Sequence, residues 1–249
     1  MTTLPLPPAE YLASLRVLTE DFARVLRTAD HTAPVPCCEP WTLTDLGTHL
    51  GHVHRWVAKV VEAGEPQPQD FATAAAGDLA DWYAESAETL LSALTAARPE
   101  DPCWHFGGTP KDMAFWFRRQ VQETAVHLVD AHRAAGTAHT PDPAIAADGV
   151  DEVLTALLPR ITRWTDPPSL SAPLLLRATD TGDSWTVHPG TDGASPALGP
   201  ETEPAATVEA TSADLLFLLW KRRALAEVAP RITGAESVAT GFLTAKLTP

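Results

Sequence analysis

The sequence has no long hydrophobic run and few cysteines. A membrane-spanning helix needs roughly 18 or more consecutive apolar residues, and the most apolar run, residues 215–220, is far shorter. The N-terminal residues lack a basic region followed by an apolar stretch, so we expect no signal peptide. The three cysteines, Cys37, Cys38 and Cys103, are odd in number and include an adjacent pair, which does not suit a disulfide framework. These absences favour a protein of the reducing cytoplasm without a membrane partner.

Basic residues are also scarce. Lysine and arginine total 18 against 32 acidic residues, which gives a formal net charge of -14. This balance argues against nucleic acid as a partner, and the sequence has neither a glycine-rich phosphate loop nor a Cys-x-x-Cys pair. With 249 residues, 45% of them hydrophobic, the chain can form one large domain or two modest ones. We expect a small-molecule substrate, and the composition leaves monomer and homodimer both open.

The first 140 residues have the pattern of a four-helix bundle. Long helical segments are expected at about 8–29, 42–64, 77–98 and 111–135. Thr42 and Asp45 are placed as a variant capping box at the start of the second helix, and Gly64 ends it.

Residues 141–249 have a different character, typical of a small α+β domain. Helices are expected at 145–163, 212–227 and 236–246, and strands at 173–179, 185–188 and 205–210. Residues 231–233 are interpreted as an edge strand, and residues 190–204 as a loop rich in glycine and proline. The predicted fold class is therefore α+β, with a boundary between the two domains near residue 140.

Three residues of the bundle indicate a metal site. Glu123 and His127 stand four apart in the fourth helix, so both side chains leave the same face. His49 lies on the inward stripe of the second helix. Two imidazoles and one carboxylate that converge inside a bundle are typical of a three-ligand metal site with a position left for water or substrate. The alternative is a buried ion pair beside an unrelated core histidine.

Neighbouring polar residues allow more than one interpretation each. His52 can be a substitute ligand or a group that supports the ligands, but a solvated helix face is favoured. Asp130, three residues after His127, can orient its imidazole or be an exposed acid. For Cys38, a buried or loop thiol is favoured over a nucleophile.

Four segments resemble the mycothiol-dependent maleylpyruvate isomerase family, whose N-terminal domain is a DinB-like bundle. They are Pro-Cys-Cys-Glu-Pro-Trp-Thr-Leu-Thr-Asp-Leu-Gly-Thr-His (36–49), Arg-Gln-Val-Gln-Glu-Thr-Ala-Val-His (119–127), Ala-Thr-Asp-Thr-Gly-Asp-Ser-Trp (178–185) and Ser-Ala-Asp-Leu-Leu-Phe-Leu-Leu-Trp-Lys-Arg-Arg (212–223). The resemblance implies that His49, Glu123 and His127 bind Zn²⁺ or another divalent metal, with water as the fourth ligand. It also implies that a basic residue of the C-terminal domain handles substrate, with Arg222 as the best positional match and Arg223 the next.

The sequence thus predicts a metal-dependent enzyme that uses mycothiol as a thiol cosubstrate, either an isomerase or an S-transferase. We expect its active cleft between the bundle and the C-terminal domain, where Arg222 or Arg223 would act as an anion clamp. For these two arginines, favourable charge near the end of a helix is the simpler alternative. Two other functions stay open. One is a thiol-independent, metal-dependent lyase or cyclase in a biosynthetic pathway, and the other is a non-enzymatic, zinc-stabilised binding protein, which a pocket closed over the metal would favour.

Overall fold

The computed structural model describes residues 4–71, 75, 77–190, 196–200 and 203–249. The chain divides into two compact units, Met1–Thr140 and Pro141–Pro249. The first is helical and the second contains a mixed sheet, so the predicted α+β class is confirmed. Among the described residues, no helix combines the length and the hydrophobicity that a membrane span needs.

The first unit contains four long helices, as predicted. They are α1 (Pro8–Thr28), α2 (Leu43–Ala63), α3 (Leu79–Ala96) and α4 (Ala114–Ala134). Thr42 and Asp45 form the predicted capping box, in which each side chain accepts a hydrogen bond from the backbone of the other residue. Gly64 ends α2 at a φ of 69°, a left-handed conformation that glycine adopts without a steric penalty.

An apolar core holds these helices together. Helix α2 packs mainly on α3, and α1 packs on α3 and α4. Gly51 permits the close approach of α2 and α3, because a Cβ atom there would clash with the ring of Trp82. Side chains that are fully buried in this core include Tyr11, Leu15, Phe22, Leu46 and Leu50. The core gives the bundle its own source of stability, independent of any ligand.

Helix α4 is unusual in burying polar side chains along much of its length. Gln120, Gln122, Thr124 and Asp130 are all at most 1% exposed. Buried polar groups are costly unless they have partners, so this helix is the part of the bundle where a polar site is expected.

The second unit is built on a five-stranded sheet with the order β3-β2-β1-β4-β5. Its strands are β1 (Leu174–Ala178), β2 (Ser184–His188), β3 (Ala197–Leu198), β4 (Ala206–Ala210) and β5 (Arg231–Gly234). β1 runs parallel to β4, and all other pairs are antiparallel. β5 lies at the edge, as predicted. β3 corrects the expectation of a loop over 190–204, of which residues 191–195 and 201–202 lie outside the described part of the chain.

Two predicted helices of this unit are interrupted. Residues 145–163 form α5 (Pro143–Glu152), a π-helical turn (Val153–Leu157) and a 3₁₀ helix (Leu158–Arg163). Pro159 has no amide hydrogen to donate to the preceding turn, so a regular α-helix cannot continue through it. Residues 212–227 form α6 (Ser212–Leu219) and a short α7 (Leu225–Val228). Between them Lys221 takes a φ of 57°, which breaks the helix. The last helix, α8, covers Glu236–Thr244.

Candidate metal centre

The structure brings the three predicted ligands together. His49 comes from α2, and Glu123 and His127 come from adjacent turns of α4. Glu123 Oε1 lies 3.6 Å from His49 Nε2 and 3.4 Å from His127 Nε2. The two imidazole rings stand nearly perpendicular, at an interplanar angle of 82°. All three side chains are mostly buried, with exposed fractions of 26%, 19% and 11% in chain order.

Arg119 holds the other oxygen of the Glu123 carboxylate. Its Nη2 lies 2.7 Å from Glu123 Oε2 and donates a hydrogen bond to it. Burial alone would raise the pKa of Glu123, but Arg119, together with hydrogen bonds from His127 and His49, keeps this pKa well below its ordinary value. Oε1 is thus a carboxylate oxygen directed at the two imidazoles. The sequence analysis did not identify Arg119, although its position one turn before Glu123 is the spacing of a helical ion pair.

Asp130 fixes the orientation of His127. The Asp130 side chain is fully buried, and its Oδ2 lies 3.1 Å from His127 Nδ1. A carboxylate can only accept, so Nδ1 carries the hydrogen and Nε2 faces Glu123. Burial lowers the pKa of His127, but hydrogen bonds to Asp130 and Glu123 raise it, with a net result of about 9. Of the two interpretations of Asp130, the structure has the orienting contact and not an exposed acid.

The two adjacent cysteines contact side chains of α4. Cys38 Sγ is 3.6 Å from Asp130 Oδ2 and donates to it, while Arg133 Nη1 donates to Cys37 Sγ at 3.1 Å. Cys38, His127 and Asp130 form a second arrangement of metal-ligating atoms that shares His127 with the first. Cys38 thus contacts the carboxylate that holds His127.

A cavity opens beside His49. Its volume is about 610 Å³, and its lining includes Trp41, Thr48, His49 and Phe71. The ring of Trp41 lies 4.8 Å from the imidazole of His49, and that of Phe71 lies 6.0 Å from it, measured between centroids. Ligand cavities in proteins span roughly 300–1,000 Å³, so this one is large enough for a small molecule next to the candidate ligands.

The two other histidines of α2 have different surroundings. His52 is 7% exposed and its ring packs edge-on against Trp82, so the favoured interpretation of a solvated face was wrong. It belongs to none of the ligand groups found among the described residues. His54 is fully buried, and burial, the largest effect, lowers its pKa to about 3. Its Nε2 donates to Thr124 Oγ1, whose own hydrogen goes to the carbonyl of Gln120.

The two candidate arginines belong to the second unit and lie in the turn that directly follows α6, where the backbone amide of Arg222 donates to the carbonyl of Phe217. Arg222 Nη1 donates to the carbonyl of Trp220, and its guanidinium lies 5.6 Å from the centroid of the Trp220 ring. Arg223 Nη1 forms an ion pair with Asp214 at 2.6 Å. A role for either arginine in the site stays a prediction.

The donor set fits a divalent metal. Around a tetrahedral zinc ion with bonds near 2.0–2.2 Å, neighbouring ligand atoms are roughly 3.3 Å apart, close to the distances of 3.4 and 3.6 Å from Glu123 Oε1 to the imidazoles. Two imidazole nitrogens and one carboxylate oxygen are ligands that zinc accepts, and Asp130 supplies the hydrogen-bonded support that such histidines usually have.

Fold and site together define a protein of two compact units with a candidate metal centre inside the helical unit. Two family models match the chain: the mycothiol maleylpyruvate isomerase N-terminal domain over residues 12–132, and the MDMPI C-terminal domain over residues 144–240. They cover most of the sequence in the expected order. The chain therefore belongs to the mycothiol-dependent maleylpyruvate isomerase family, which confirms the resemblance seen in the sequence.

Two similar solved structures agree with this assignment. One is the crystal structure of the mycothiol-dependent maleylpyruvate isomerase, and the other is that of a variant with one histidine replaced by alanine. Each has a TM-score of 0.62 and 16% sequence identity, and covers 88% of this chain and 91% of its own. At this identity the likeness shows the fold. No curated protein matched the chain.

Proposed function

We propose that the protein is a metal-dependent enzyme that uses mycothiol to isomerise or conjugate a small electrophilic substrate. The observation that carries the proposal is the convergence of His49, Glu123 and His127 beside an open cavity. Family membership supports the thiol, since both matching domain families are those of mycothiol-dependent maleylpyruvate isomerases. A cytoplasmic location is part of the proposal.

In this proposal His49, Glu123 and His127 hold one divalent cation, most simply Zn²⁺. When bound, the cation supplies a Lewis acid that lowers the pKa of a coordinating thiol or water. Asp130 keeps His127 in the tautomer that binds through Nε2, and Arg119 keeps the Glu123 carboxylate ionised. The chain thus supplies a charged oxygen and two imidazole nitrogens, and one of the imidazoles, that of His49, lines the cavity.

The cavity supports an enzyme over a zinc-stabilised binding protein. A structural zinc site is closed by four protein ligands, whereas a catalytic site keeps a position for water or substrate. Here the cluster has three candidate ligands, and one of them, His49, lines a cavity of about 610 Å³. Trp41 and Phe71 provide flat apolar walls against which the carbon skeleton of a substrate can pack.

The proposed chemistry starts with attack of the mycothiol sulfur on an electrophilic carbon. Addition of the thiolate to one carbon of a cis carbon–carbon double bond forms a sulfur–carbon bond, places the electron pair of the double bond on the other carbon, and leaves a single bond that can rotate. That electron pair then re-forms the double bond as the sulfur–carbon bond breaks, which releases the thiolate and gives the trans isomer. If the carbanion takes up a proton instead, the thioether adduct is the product and the enzyme is an S-transferase.

Arg222 is proposed to position the carboxylate of the substrate or of the thiol cosubstrate. A guanidinium can hold a carboxylate through two parallel hydrogen bonds, which lysine cannot reproduce. Arg223 is the second choice, because it would first have to leave Asp214, its partner at 2.6 Å.

The proposal is tested by metal analysis followed by assays with and without mycothiol. We expect metal in the purified protein, and conversion of maleylpyruvate or conjugation of a panel of electrophiles only when mycothiol is present. Loss of both metal and turnover in His127→Ala, with both retained in His188→Ala, would show that activity depends on the metal ligands. Turnover without thiol would instead make the protein a lyase or cyclase. Bound metal without turnover of any substrate would favour the binding protein.

A further inference from the structure

A second cluster of two histidines and one aspartate lies elsewhere in the helical unit. Asp21 belongs to α1, His132 to the last turn of α4, and His139 to the segment that follows α4. One ligand atom from each lies within 4.8 Å of the other two. His132 Nε2 is 3.4 Å from Asp21 Oδ1, and His139 Nδ1 is 3.8 Å from Asp21 Oδ2. None of these three residues belongs to the first cluster, which is formed by His49, Glu123 and His127.

Thr137 determines which nitrogen of His132 is available to a ligand. Thr137 Oγ1 donates its only hydrogen to the carbonyl of His132 at 3.1 Å, so it must accept the hydrogen of His132 Nδ1 at 2.8 Å. His132 Nε2 is therefore the ring nitrogen that remains for a metal beside the carboxylate of Asp21. This is the arrangement by which a supporting hydrogen bond prepares a histidine for a metal.

Each histidine of this cluster has one ring nitrogen that no hydrogen bond satisfies. Nε2 of His132 and Nε2 of His139 are both buried and have no hydrogen-bond partner. The distances from the rings to Asp21, 3.4 and 3.8 Å, are longer than good N–H···O bonds. Arg24 pairs with Asp21 Oδ1 at 2.8 Å, but its side chain is 67% exposed and can turn away into water. Each of these buried nitrogens would gain a partner if a cation bound beside the Asp21 carboxylate.

We propose that Asp21, His132 and His139 form a second binding site for a divalent transition metal, with zinc the best match for two imidazoles and one carboxylate. The imidazole rings are stacked at 5.0 Å with an interplanar angle of 13°. Stacked rings cannot both direct a lone pair at one ion, so His139 turns out of the stack when the metal binds. Its position outside a regular helix permits this rotation.

A metal at this site would stabilise the helical unit. Its ligands come from the middle of α1, the end of α4 and the segment beyond α4, so one ion would join three stretches that no disulfide links. A metal that binds only the folded chain stabilises it in proportion to the logarithm of its concentration over the dissociation constant.

The test uses the His127→Ala protein, which removes a ligand from the first cluster and from the arrangement with Cys38 at once. We expect this protein, stripped of metal, to bind one equivalent of Co²⁺ or Zn²⁺ in a calorimetric titration, and Co²⁺ to show a visible spectrum without sulfur-to-metal charge transfer. Asp21→Asn and His139→Phe, each added to His127→Ala, should abolish this binding. Phenylalanine keeps a ring that can stack on His132 but has no ligand atom.

Glu20→Gln is the matched control, because it removes the acid adjacent to Asp21 and should keep the full equivalent. Circular dichroism of each variant establishes that it is folded before titration. Absence of binding by the folded His127→Ala protein overturns the proposal. Binding that survives both Asp21→Asn and His139→Phe overturns it as well, since the metal must then lie elsewhere.

Discussion

Both clusters of the helical unit contain two histidines and one carboxylate, but their surroundings differ. In the first, Glu123 is buried with Arg119, and a cavity of about 610 Å³ opens beside His49. In the second, Asp21 is paired with the exposed side chain of Arg24, and His139 lies on a segment outside the helices. Two imidazoles and one carboxylate indicate a metal in either place. The ion pair of Glu123 with Arg119 and the cavity beside His49 favour a catalytic metal at the first cluster. At the second cluster we expect a metal that stabilises the fold.

The largest effect that separates the clusters is on activity. His127→Ala should abolish turnover and metal binding at the first cluster, because it removes a ligand, whereas His139→Phe should leave turnover unchanged. The measurement is the initial rate with mycothiol, together with metal content. His52→Ala serves as a control on α2 and should keep its metal. Metal lost from His52→Ala but kept by His49→Ala would show that the ligand from α2 was misassigned.

The next effect tests whether an arginine of the second unit contributes to the activity of the first cluster. Arg222→Lys should lower turnover on the order of 100-fold, the cost of losing a positioning contact, while the metal content stays full. Arg177→Lys, which alters an exposed arginine paired with Glu209 at 3.1 Å, is the matched control and should be fully active. Full activity of both Arg222→Lys and Arg223→Lys would confine the active site to the bundle.

A smaller effect is expected from the residues that support the ligands. Asp130→Asn should weaken metal binding at the first cluster about 10–100-fold, because it loosens the hold on His127 Nδ1, and should not affect the second. Thr137→Val should weaken metal binding at the second cluster, because it removes the partner of His132 Nδ1, and should not affect the first. Isothermal titration of the metal-free proteins measures both, and equal weakening at both clusters by either substitution would refute these local roles.

The first cluster could be predicted from the sequence because its geometry is encoded by helical periodicity. Glu123 and His127 share a face at any position of an α-helix, and His49 lies on an apolar stripe that must point inward. Arg119 has the same spacing and could have been found by the same argument. The burial of His52 could not, because it depends on where Trp82 of another helix packs.

The second cluster had no comparable signal. Asp21 and His132 lie on different helices whose relative rotation the sequence does not specify, and His139 follows the end of α4, where no periodicity predicts a side-chain position. The turn that carries Arg222 was missed for a related reason. The apolar pattern of residues 215–220 favours a helix, and only the left-handed backbone of Lys221 shows where it ends.

A further difference concerns pH. Metal binding at the first cluster must displace the proton of His127, whose pKa is about 9, so the proton and the metal compete. Raising the pH from 7 to 8 should therefore strengthen metal binding there about tenfold, levelling off above the pKa. Burial and the nearby His132 lower the pKa of His139, so a proton competes less with the metal for that ring. Competition with a chelator at each pH, on proteins with one cluster disabled, should give a steeper dependence for the first cluster than for the second.

The smallest effect should follow removal of metal from the first cluster alone. In an Asp21→Asn protein, a chelator should lower the melting temperature by only a few degrees, since about 1 kcal/mol shifts it by roughly 2–4 °C in a protein of this size. The helical circular dichroism signal should stay intact, because fully buried side chains such as Leu15, Phe22, Leu46 and Leu50 hold the bundle without any ion. The metal would then serve catalysis and not folding. Collapse of the helical signal on chelation would instead make the first cluster a structural zinc site, in which binding energy is folding energy, and the contrast between the two clusters would disappear.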